Sequence, residues 1–494
     1  MSDEIKNSEI AQEESQQVCD ESQDLNGQED VCKDVDGKKA KKCKKAKKNL
    51  TPEQKKKRTA KALIITGCVV LALVIFFSGC AIASSVYTTA HLKLADSFDK
   101  VEYTDQLKPT YDENLGYWTF TKPDGREFKI LQLTDVHIGG GAFSGSKDNW
   151  AMNAVATMVR QTKPDLVVVT GDIAYPVPVQ AGTFNNLNAT RIFAKMMENL
   201  GVYWTFTFGN HDTELYSLYS RDEICNYYAD ENFKYCLFRA GFCDTKDVMS
   251  KDSIGFGNDM IVVKNSDGSI NQALVMFDSH SYTDGDYLGM AWKYDNIHQK
   301  QTDWYATEMD KLKAANNGKE VKNLSFFHIP LREFRDAWAN VIDTTEKEHK
   351  AGNKDYAVKP GDKITTDIGT TELIYGEMHE TDKPKNGVRT YGVSCGYGED
   401  DLFAKGLAHG MQGVFCGHDH LNNFSVNYTP AGADRSIRLT YSMSVDYLAY
   451  PGIFKQTAQR GCTVITLDAQ GNFDCAAKNY YADFEGANDY ATQH

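Results

Sequence analysis

The sequence predicts an α/β fold in which buried strands end in polar loops at one edge of a sheet. Five short apolar runs support this prediction, because each is followed directly by a motif rich in Asp, Asn or His. The runs are residues 130–133, 166–169, 202–208, 324–327 and 414–416. Stretches with helical periodicity separate the earlier runs, an alternation typical of α/β domains whose functional loops follow the carboxyl ends of strands.

The N-terminal region, residues 1–61, differs in composition from the remaining chain. Residues 1–37 are acidic, are rich in Gln and Ser and lack aromatic residues, which predicts disorder. Residues 38–61 carry thirteen Lys or Arg residues, a density also typical of nucleic-acid binding or nuclear targeting. Residues 63–86 then contain no charged residue and are long enough to span a bilayer, which favours a membrane anchor over those alternatives.

Positive charge directly before a first transmembrane helix keeps that side of the helix in the cytoplasm. We therefore predict a single-pass type II membrane protein with a disordered acidic, then polybasic cytoplasmic tail at 1–61 and a transmembrane signal anchor at 62–87. The following domain would be extracellular or lumenal, and the lysines of the tail would attract anionic lipid headgroups. A cleaved signal peptide is the alternative, because Ala81-Ile82-Ala83 resembles a cleavage site, but the preceding basic region is too long for one.

Charge and glycosylation motifs give further indications about partners and compartment. Residues 62–494 hold 39 basic and 55 acidic residues, and this net charge of −16 disfavours nucleic acid as a partner. Four Asn-x-Ser/Thr sequons follow the anchor and are consistent with a glycoprotein domain outside the cytosol. The sequons begin at Asn188, Asn323, Asn423 and Asn427. In an oxidising compartment, we expect one disulfide among the cysteines of 225–243 and a second between Cys462 and Cys475.

Helices are predicted between several of the apolar runs. Residues 147–163, 190–200 and 299–315 have apolar side chains at helical spacing, typical of faces that pack on a sheet. Residues 213–258 are interpreted as an insertion over the rim of the domain. Residues 341–400 are interpreted as a long excursion of low periodicity.

The polar loops after the predicted strands supply side chains typical of a two-metal hydrolase. They contribute two carboxylates, one amide oxygen, four ligand imidazoles and one spare histidine. The segments are Asp135-Val136-His137, Gly171-Asp172, Gly209-Asn210-His211-Asp212, His328 and Gly417-His418-Asp419-His420. Side chains two residues apart on an extended segment point the same way, so Asp135 and His137 can share one ion. The same geometry lets His418 and His420 reach the centre from one loop.

This inventory suits the hydrolysis of phosphate esters. Two cations roughly 3.5–4 Å apart lower the pKa of a shared water and hold the phosphate oxygens. The carboxylate of Asp172 can place one oxygen on each metal, and Asn210 offers a neutral oxygen to one of them. Two carboxylates and a hydroxide total about −3 against about +4 for two divalent ions, which leaves a positive centre for a phosphate anion.

The motif series resembles the calcineurin-type metallophosphoesterase superfamily, whose pattern DxH, GD, GNH[D/E], H and GHxH is matched in full. Other stretches resemble the purple-acid-phosphatase-related group of membrane and secreted phosphatases. These stretches are residues 277–280, 301–304, 326–331 and 417–424. The resemblance implies an α/β/β/α sandwich of two mixed sheets, and we place this domain at 127–475. Residues 88–126 are interpreted as a stalk and entry segment, and residues 476–494 as a C-terminal tail.

The resemblance also implies a role for each motif residue. One metal would be bound by Asp135, His137, Asp172 and His420, and the other by Asp172, Asn210, His328 and His418. His211 would protonate the leaving group, with Asp212 orienting its ring. The two metal ions would be Fe, Zn or Mn, and a metal-bridged hydroxide would attack phosphorus.

One residue leaves an alternative ligand set open. The segment Gly171–Tyr175 also matches GDxxY, in which true purple acid phosphatases use the tyrosine as an Fe(III) ligand. Those enzymes have glycine where this chain has His137, so His137 and Tyr175 compete for one coordination position. Because a neutral imidazole suits divalent ions, we predict that Tyr175 is not a ligand.

These observations favour a membrane-anchored phosphomonoesterase that acts outside the cytosol on a phosphorylated small molecule or a phosphoprotein. A phosphodiesterase acting on cyclic nucleotides or sphingomyelin-like headgroups is the enzyme alternative, because it would share the metal motifs. A degenerate receptor or adhesion module would have lost metal ligands, and all seven motif ligands are present in the sequence.

Overall fold

The computed structural model describes residues 51–230, 232–243, 253–283, 285–286, 289–350, 358–377, 389–450 and 459–487. Its residues fall into two units, which divide between Leu71 and Ala72. In the first unit the described part is helical and forms the beginning of α1 (Pro52–Ser97). The predicted disorder of residues 1–37 and most of the basic run lie outside the described residues.

Helix α1 is long and apolar enough to cross a membrane. Its apolar side chains between Leu63 and Phe77 are exposed, unlike those of a core helix. Farther along, Ser84, Thr88, His91 and Ala95 are buried, and their spacing of three and four residues places them on one face. The predicted stalk at 88–126 therefore begins as a continuation of this helix.

The second unit is built from fifteen strands and eight further helices among its described residues. The strands are β1 (Thr110–Asp112), β2 (Tyr117–Lys122), β3 (Phe128–Leu133), β4 (Leu166–Thr170), β5 (Trp204–Thr207), β6 (Asp259–Asn265), β7 (Ile270–Met276), β8 (Asn323–Phe326), β9 (Lys363–Thr365), β10 (Gly369–Tyr375), β11 (Met411–Cys416), β12 (Ser425–Pro430), β13 (Ile437–Tyr441), β14 (Gly461–Leu467) and β15 (Phe473–Asn479). The helices are α2 (Gly145–Thr162), α3 (Pro178–Ala181), α4 (Asn186–Leu200), α5 (Arg221–Asp230), α6 (Gln299–Ala315), α7 (Arg332–Lys350), α8 (Leu402–Ala408) and α9 (Tyr480–Asp483).

These strands form two mixed sheets. The larger has ten strands in the order β1-β2-β6-β7-β8-β11-β13-β12-β10-β9, and the smaller has five in the order β15-β14-β3-β4-β5. Strands β3, β4 and β5 are parallel, as are β7, β8, β11 and β13, whereas the outer pairs are mostly antiparallel. The parallel strands bring their carboxyl ends to one edge of each sheet.

Alternating side chains along each strand create three apolar layers. In β3, Ile130 packs between the sheets in one cluster with Leu324 and Phe326 of β8. Leu131, the next residue, lies on the opposite face in a cluster that contains Val155 of α2. A third cluster joins the outer face of the ten-stranded sheet to helices α6, α7 and α8. Because successive side chains of a strand point to opposite faces, each sheet packs on the other sheet with one face and on helices with the other. This arrangement confirms the α/β/β/α sandwich.

The predicted central strands and helices coincide with observed elements, and the edges differ. Strands β1 and β2 lie within the segment predicted as a stalk, and β9 and β10 lie within the segment 341–400 that was expected to have little regular structure. Strand β15 and helix α9 extend into the predicted C-terminal tail. Edge strands such as β9 are only three residues long and mostly exposed, so they leave little periodic signal in the sequence.

The predicted disulfides are absent among the described residues, and one of the sequons is buried. Cys225, Cys236, Cys462 and Cys475 are free thiols, so neither predicted disulfide forms. Cys462 faces Lys478 and Cys475 faces Ile465 across the β14–β15 ladder, so the predicted Cys462–Cys475 pairing does not form. The sequon asparagine Asn323 is fully buried in β8, where it donates a hydrogen bond to the His409 carbonyl, and it is not accessible for glycosylation.

Candidate metal centre

The predicted ligand loops meet where the carboxyl ends of both sheets converge. Asp135, Asp172 and Asn210 follow strands β3, β4 and β5 of the five-stranded sheet. His328 and His418 follow β8 and β11 of the ten-stranded sheet. Hydrogen bonds hold the loops together: the N–H of Asp135 donates to the Gly171 carbonyl at 3.1 Å, and the N–H of His418 donates to Asp135 Oδ2 at 3.0 Å. The fold therefore gathers residues that are far apart in the sequence.

The backbone of these loops is strained where it presents the ligands. Asp135, His137, Asp172 and His418 have φ values of 50°, 52°, 54° and 78°, in the left-handed region that non-glycine residues rarely adopt. Such strain persists only where the surrounding structure enforces it, and it is concentrated at functional sites. Gly209 leaves room for Asp172, because a Cβ atom at position 209 would clash with its carboxylate.

The first proposed ligand group surrounds Asp135 and His137. Atoms of Asp135, His137 and His420 that can bind a metal lie within 4.8 Å of one another. His420 Nε2 lies 3.2 Å from Asp135 Oδ1, and His137 Nε2 lies 3.1 Å from Asp172 Oδ2. The structure thus brings together the four residues expected for one metal.

The second group lies on the other side of Asp172. His328 Nε2 is 3.1 Å from Asp172 Oδ2 and 3.1 Å from Asn210 Oδ1. His418 Nδ1 lies 3.3 Å from His328 Nε2. One carboxylate oxygen of Asp172 therefore faces His137 and His328, one histidine from each group. This is the position expected of a ligand shared by two cations.

The neighbouring charges keep the buried carboxylates ionised. Burial alone raises the pKa of Asp135, but His420 and His328 outweigh burial and lower that pKa to about 2. Burial also raises the pKa of Asp172, and His328 brings it well below its usual value. Burial lowers the pKa of His418 well below its usual value, and the adjacent His328 lowers it further. Ionised carboxylates and a neutral imidazole are the forms that bind cations.

Asp446 is a site residue that the sequence analysis missed. Its fully buried carboxylate contacts His137 Nδ1 at 3.3 Å through Oδ1 and His420 Nδ1 at 3.2 Å through Oδ2. A carboxylate on the far nitrogen of a ligand histidine fixes the ring and its tautomer. Asp446 follows β13, which lies parallel to β11, so the rule that functional loops follow parallel strand ends could have identified it.

His211 lies beside the ligands, but its partner differs from the expected one. His211 Nδ1 lies 2.7 Å from Glu214 Oε1, and the His211 side chain is 26% exposed. The Asp212 carboxylate instead accepts backbone hydrogen bonds from Asp172 and Gly209 at 3.0 and 2.8 Å. The structure therefore assigns the position beside the ring to Glu214, whereas Asp212 fixes the ligand loops.

A tyrosine connects this histidine to the ligand shell. The Tyr282 hydroxyl donates to Glu214 Oε1 at 3.1 Å and accepts a hydrogen bond from Asn210 Nδ2 at 3.1 Å. This contact orients the amide so that Asn210 Oδ1 faces His328.

Tyr175, the alternative ligand, is close to the site but has another partner. Its ring centroid lies 4.8 Å from that of His137 and 4.8 Å from that of His211. Its hydroxyl donates a hydrogen bond to Gln180 Oε1 at 2.8 Å. His137 occupies the position facing Asp172, so the geometry favours the imidazole over the phenol.

Comparison with known proteins gives a consistent family assignment. The sequence model of the calcineurin-like phosphoesterase family matches residues 128–422, more than half of the chain and all seven proposed ligands. "Probable inactive purple acid phosphatase 29" of Arabidopsis thaliana is 25% identical over 362 residues, which cover 69% of this chain and 77% of that protein. "Probable inactive purple acid phosphatase 14" of the same plant is 25% identical over 352 residues, covering 66% and 72%. "Phosphatase DCR2" of Saccharomyces cerevisiae is 27% identical over 328 residues, covering 63% and 47%.

Proposed function

The chain belongs to the calcineurin-like phosphoesterase family, and from this membership we propose that it is a membrane-anchored phosphatase that hydrolyses phosphomonoesters at a binuclear metal centre. The observation that carries the proposal is the complete set of donors around Asp172. His328 Nε2 and His418 Nδ1 face each other at 3.3 Å, and a cation held between such nitrogens would stabilise the contact. The mixture of imidazole, carboxylate and amide donors suits Fe, Zn or Mn.

The chemistry divides between the metals and the chain. Two bound divalent ions would supply a water of lowered pKa and withdraw charge from the phosphate oxygens. The chain supplies the proton for the leaving group. The backbone N–H of His211 donates to Asp172 Oδ1 at 2.8 Å. The ring Nδ1 of His211 contacts Glu214 Oε1, which leaves the ring Nε2 for the substrate. We therefore assign His211 as the general acid and Glu214 as its positioning residue.

The donor set also supports catalytic activity over a binding role alone. A module that had lost catalysis would be expected to lack ligands or the acid, whereas this chain retains all seven proposed ligands and His211. The proposed substrates are a phosphorylated small molecule or a phosphoprotein outside the cytosol.

A panel of phosphate esters tests this proposal. Purified full-length protein in detergent, loaded with Fe, Zn or Mn, should release phosphate from alkyl and aryl monoesters faster than it cleaves a diester such as bis(4-nitrophenyl) phosphate. His211→Ala should lose activity, whereas His409→Ala, a histidine outside the site, should keep it. Faster diester cleavage would reassign the protein as a phosphodiesterase. Metal-loaded protein without turnover on any ester would contradict the enzymatic proposal.

The anchor and its orientation form the second part of the proposal. The thirteen basic residues of 38–61 lie directly before the apolar part of α1, and they favour a cytoplasmic tail with a lumenal or extracellular catalytic unit. Protease added outside sealed vesicles of known orientation should reach the catalytic unit and spare the tail. A tail digested from that side would reverse the topology.

A further inference from the structure

The part of helix α1 that follows its apolar segment packs on the domain that carries the candidate metal centre, which we call the catalytic unit. Ser84 Oγ, Thr88 Oγ1 and His91 Nε2 contact backbone carbonyls of that unit at 3.3, 3.3 and 3.0 Å. The carbonyl that Thr88 contacts belongs to Gly140, three residues after His137. The end of the proposed membrane span is therefore fixed against a loop next to the candidate metal centre.

A groove of about 570 Å³ lies between this part of α1 and the neighbouring loops. Phe76 and Phe77, from the apolar segment of the helix, line one side. Phe143, Phe184 and Leu218 line the other side. Since one wall belongs to the proposed membrane span, the groove is continuous with the surface that α1 presents to lipid.

Exposed apolar side chains occur along the loops that line the groove. Phe143, Phe184 and Leu218 belong to its lining, Val179 follows the lining residue Pro178, and Leu215 lies three residues before Leu218. We name this set the apolar rim, and it consists of Phe143, Val179, Phe184, Leu215 and Leu218, which are 51%, 84%, 37%, 64% and 64% exposed. The N–H of Leu218 donates to the Phe184 carbonyl at 2.8 Å, and that of Phe143 donates to the Ala181 carbonyl at 3.0 Å, so the three loops lie side by side. Clustered apolar exposure marks an interaction surface, whereas isolated exposed residues do not.

The loops of the apolar rim also reach the candidate metal centre. Leu215 follows Glu214, whose carboxylate contacts His211. Val179 precedes Gln180, whose side chain accepts the Tyr175 hydrogen bond. Whatever covers the rim therefore lies beside the proposed active site.

We propose that the groove binds one acyl chain of a bilayer phospholipid and that the apolar rim enters the headgroup region of the same leaflet. Continuity with the apolar face of α1 identifies lipid as the occupant. Arg191, an exposed cation that lines the groove, offers a partner for the lipid phosphate. Amphipathic surfaces of this kind lie in the membrane interface, with apolar side chains below the headgroups. The inference rests on the proposed membrane span and is independent of the phosphatase activity.

Photo-crosslinking of the full-length protein in phosphatidylcholine vesicles tests the proposal. Benzoylphenylalanine incorporated at Val179 or Leu218 should yield, after illumination, a protein mass increased by one phosphatidylcholine. The same probe at Ile368, an exposed apolar residue between β9 and β10, should give no lipid adduct. Ser85→Trp, which fills the groove from the exposed side of α1, should remove most of the adduct formed at Leu218. Ala90→Trp on the same helix should not.

The outcomes separate the inference from the proposals on which it stands. Lipid binding would be overturned if neither rim position forms a lipid adduct or if Ile368 forms as much adduct as the rim positions. Probes at the rim that crosslink only to protein would overturn it as well. Alkaline carbonate extraction provides the check on the anchor: if the protein is released from the vesicles, the membrane span and the lipid site both fail. If the protein stays in the membrane without adducts, the lipid site alone fails.

Discussion

Asp446→Asn should weaken metal binding without removing any proposed ligand. The substitution keeps the size of the side chain but removes the charge that faces His137 Nδ1 and His420 Nδ1. Loss of one such outer contact typically lowers metal affinity 10- to 100-fold. Because Asp446 supports two histidines of one metal, we expect metal affinity to fall about 100-fold, or by about 2.7 kcal/mol.

The measurement is the metal affinity of the purified protein, determined by competition with a chelator of known affinity. Asp259→Asn is the matched control, because Asp259 is also a buried carboxylate but pairs with Arg239 outside the site. This control should lower the unfolding temperature and leave metal affinity unchanged. An Asp446→Asn protein that is folded and binds both metals within about twofold of the wild-type affinity would refute the supporting role.

Three further predictions concern the acid, the protons and the alternative ligand. His211→Ala should lower kcat by roughly 10²–10⁴ for alkyl phosphates and by less for aryl phosphates. Glu214→Gln should also lower kcat more for alkyl than for aryl phosphates, but with a smaller loss than His211→Ala. Equal losses of kcat on both ester types would contradict the acid role. Without metal, burial lowers the pKa of His137 and His328, but neighbouring carboxylates outweigh it and raise each pKa to about 9. Burial also lowers the pKa of His420, but Asp135 and Asp446 outweigh it and raise that pKa well above its usual value. These rings must lose their protons to bind metal, so calorimetry in buffers of different ionisation enthalpy should detect proton release on metal binding, and affinity should fall below pH 9. Tyr175→Phe should keep metal and most activity, and a visible charge-transfer band that disappears in this variant would assign the phenol as a ligand.

The central architecture was predictable because buried parallel strands leave strong signals. The apolar runs before Asp135, Asp172 and His328 end within one residue of the observed ends of β3, β4 and β8. Local motifs also located the candidate ligands, since each lies in the loop that follows its strand. Periodicity and strand-end loops together therefore located most of the site.

The remaining features depend on contacts that no local pattern encodes. Glu214 replaces Asp212 beside His211 because the turn directs the Asp212 carboxylate toward backbone N–H groups. Asp446 lies after the final matched motif and reaches the histidines only through the packing of β13 beside β11. The predicted Cys462–Cys475 bond fails because the strand register places other residues opposite each cysteine. Register and loop direction are properties of the assembled sheets.

The metal content and turnover of Asp172→Asn test the central claim most directly. Asp172 Oδ2 lies 3.1 Å from both His137 Nε2 and His328 Nε2, so the substitution removes charge from both proposed metal positions at once. Elemental analysis of wild-type protein should give two metal ions per chain, with phosphomonoester hydrolysis that a chelator abolishes and added metal restores. Asp172→Asn should lose bound metal and hydrolysis together, whereas Asp259→Asn should retain both. A variant that keeps two metals and activity within tenfold of wild type, or a wild-type enzyme fully active without metal, would contradict the account.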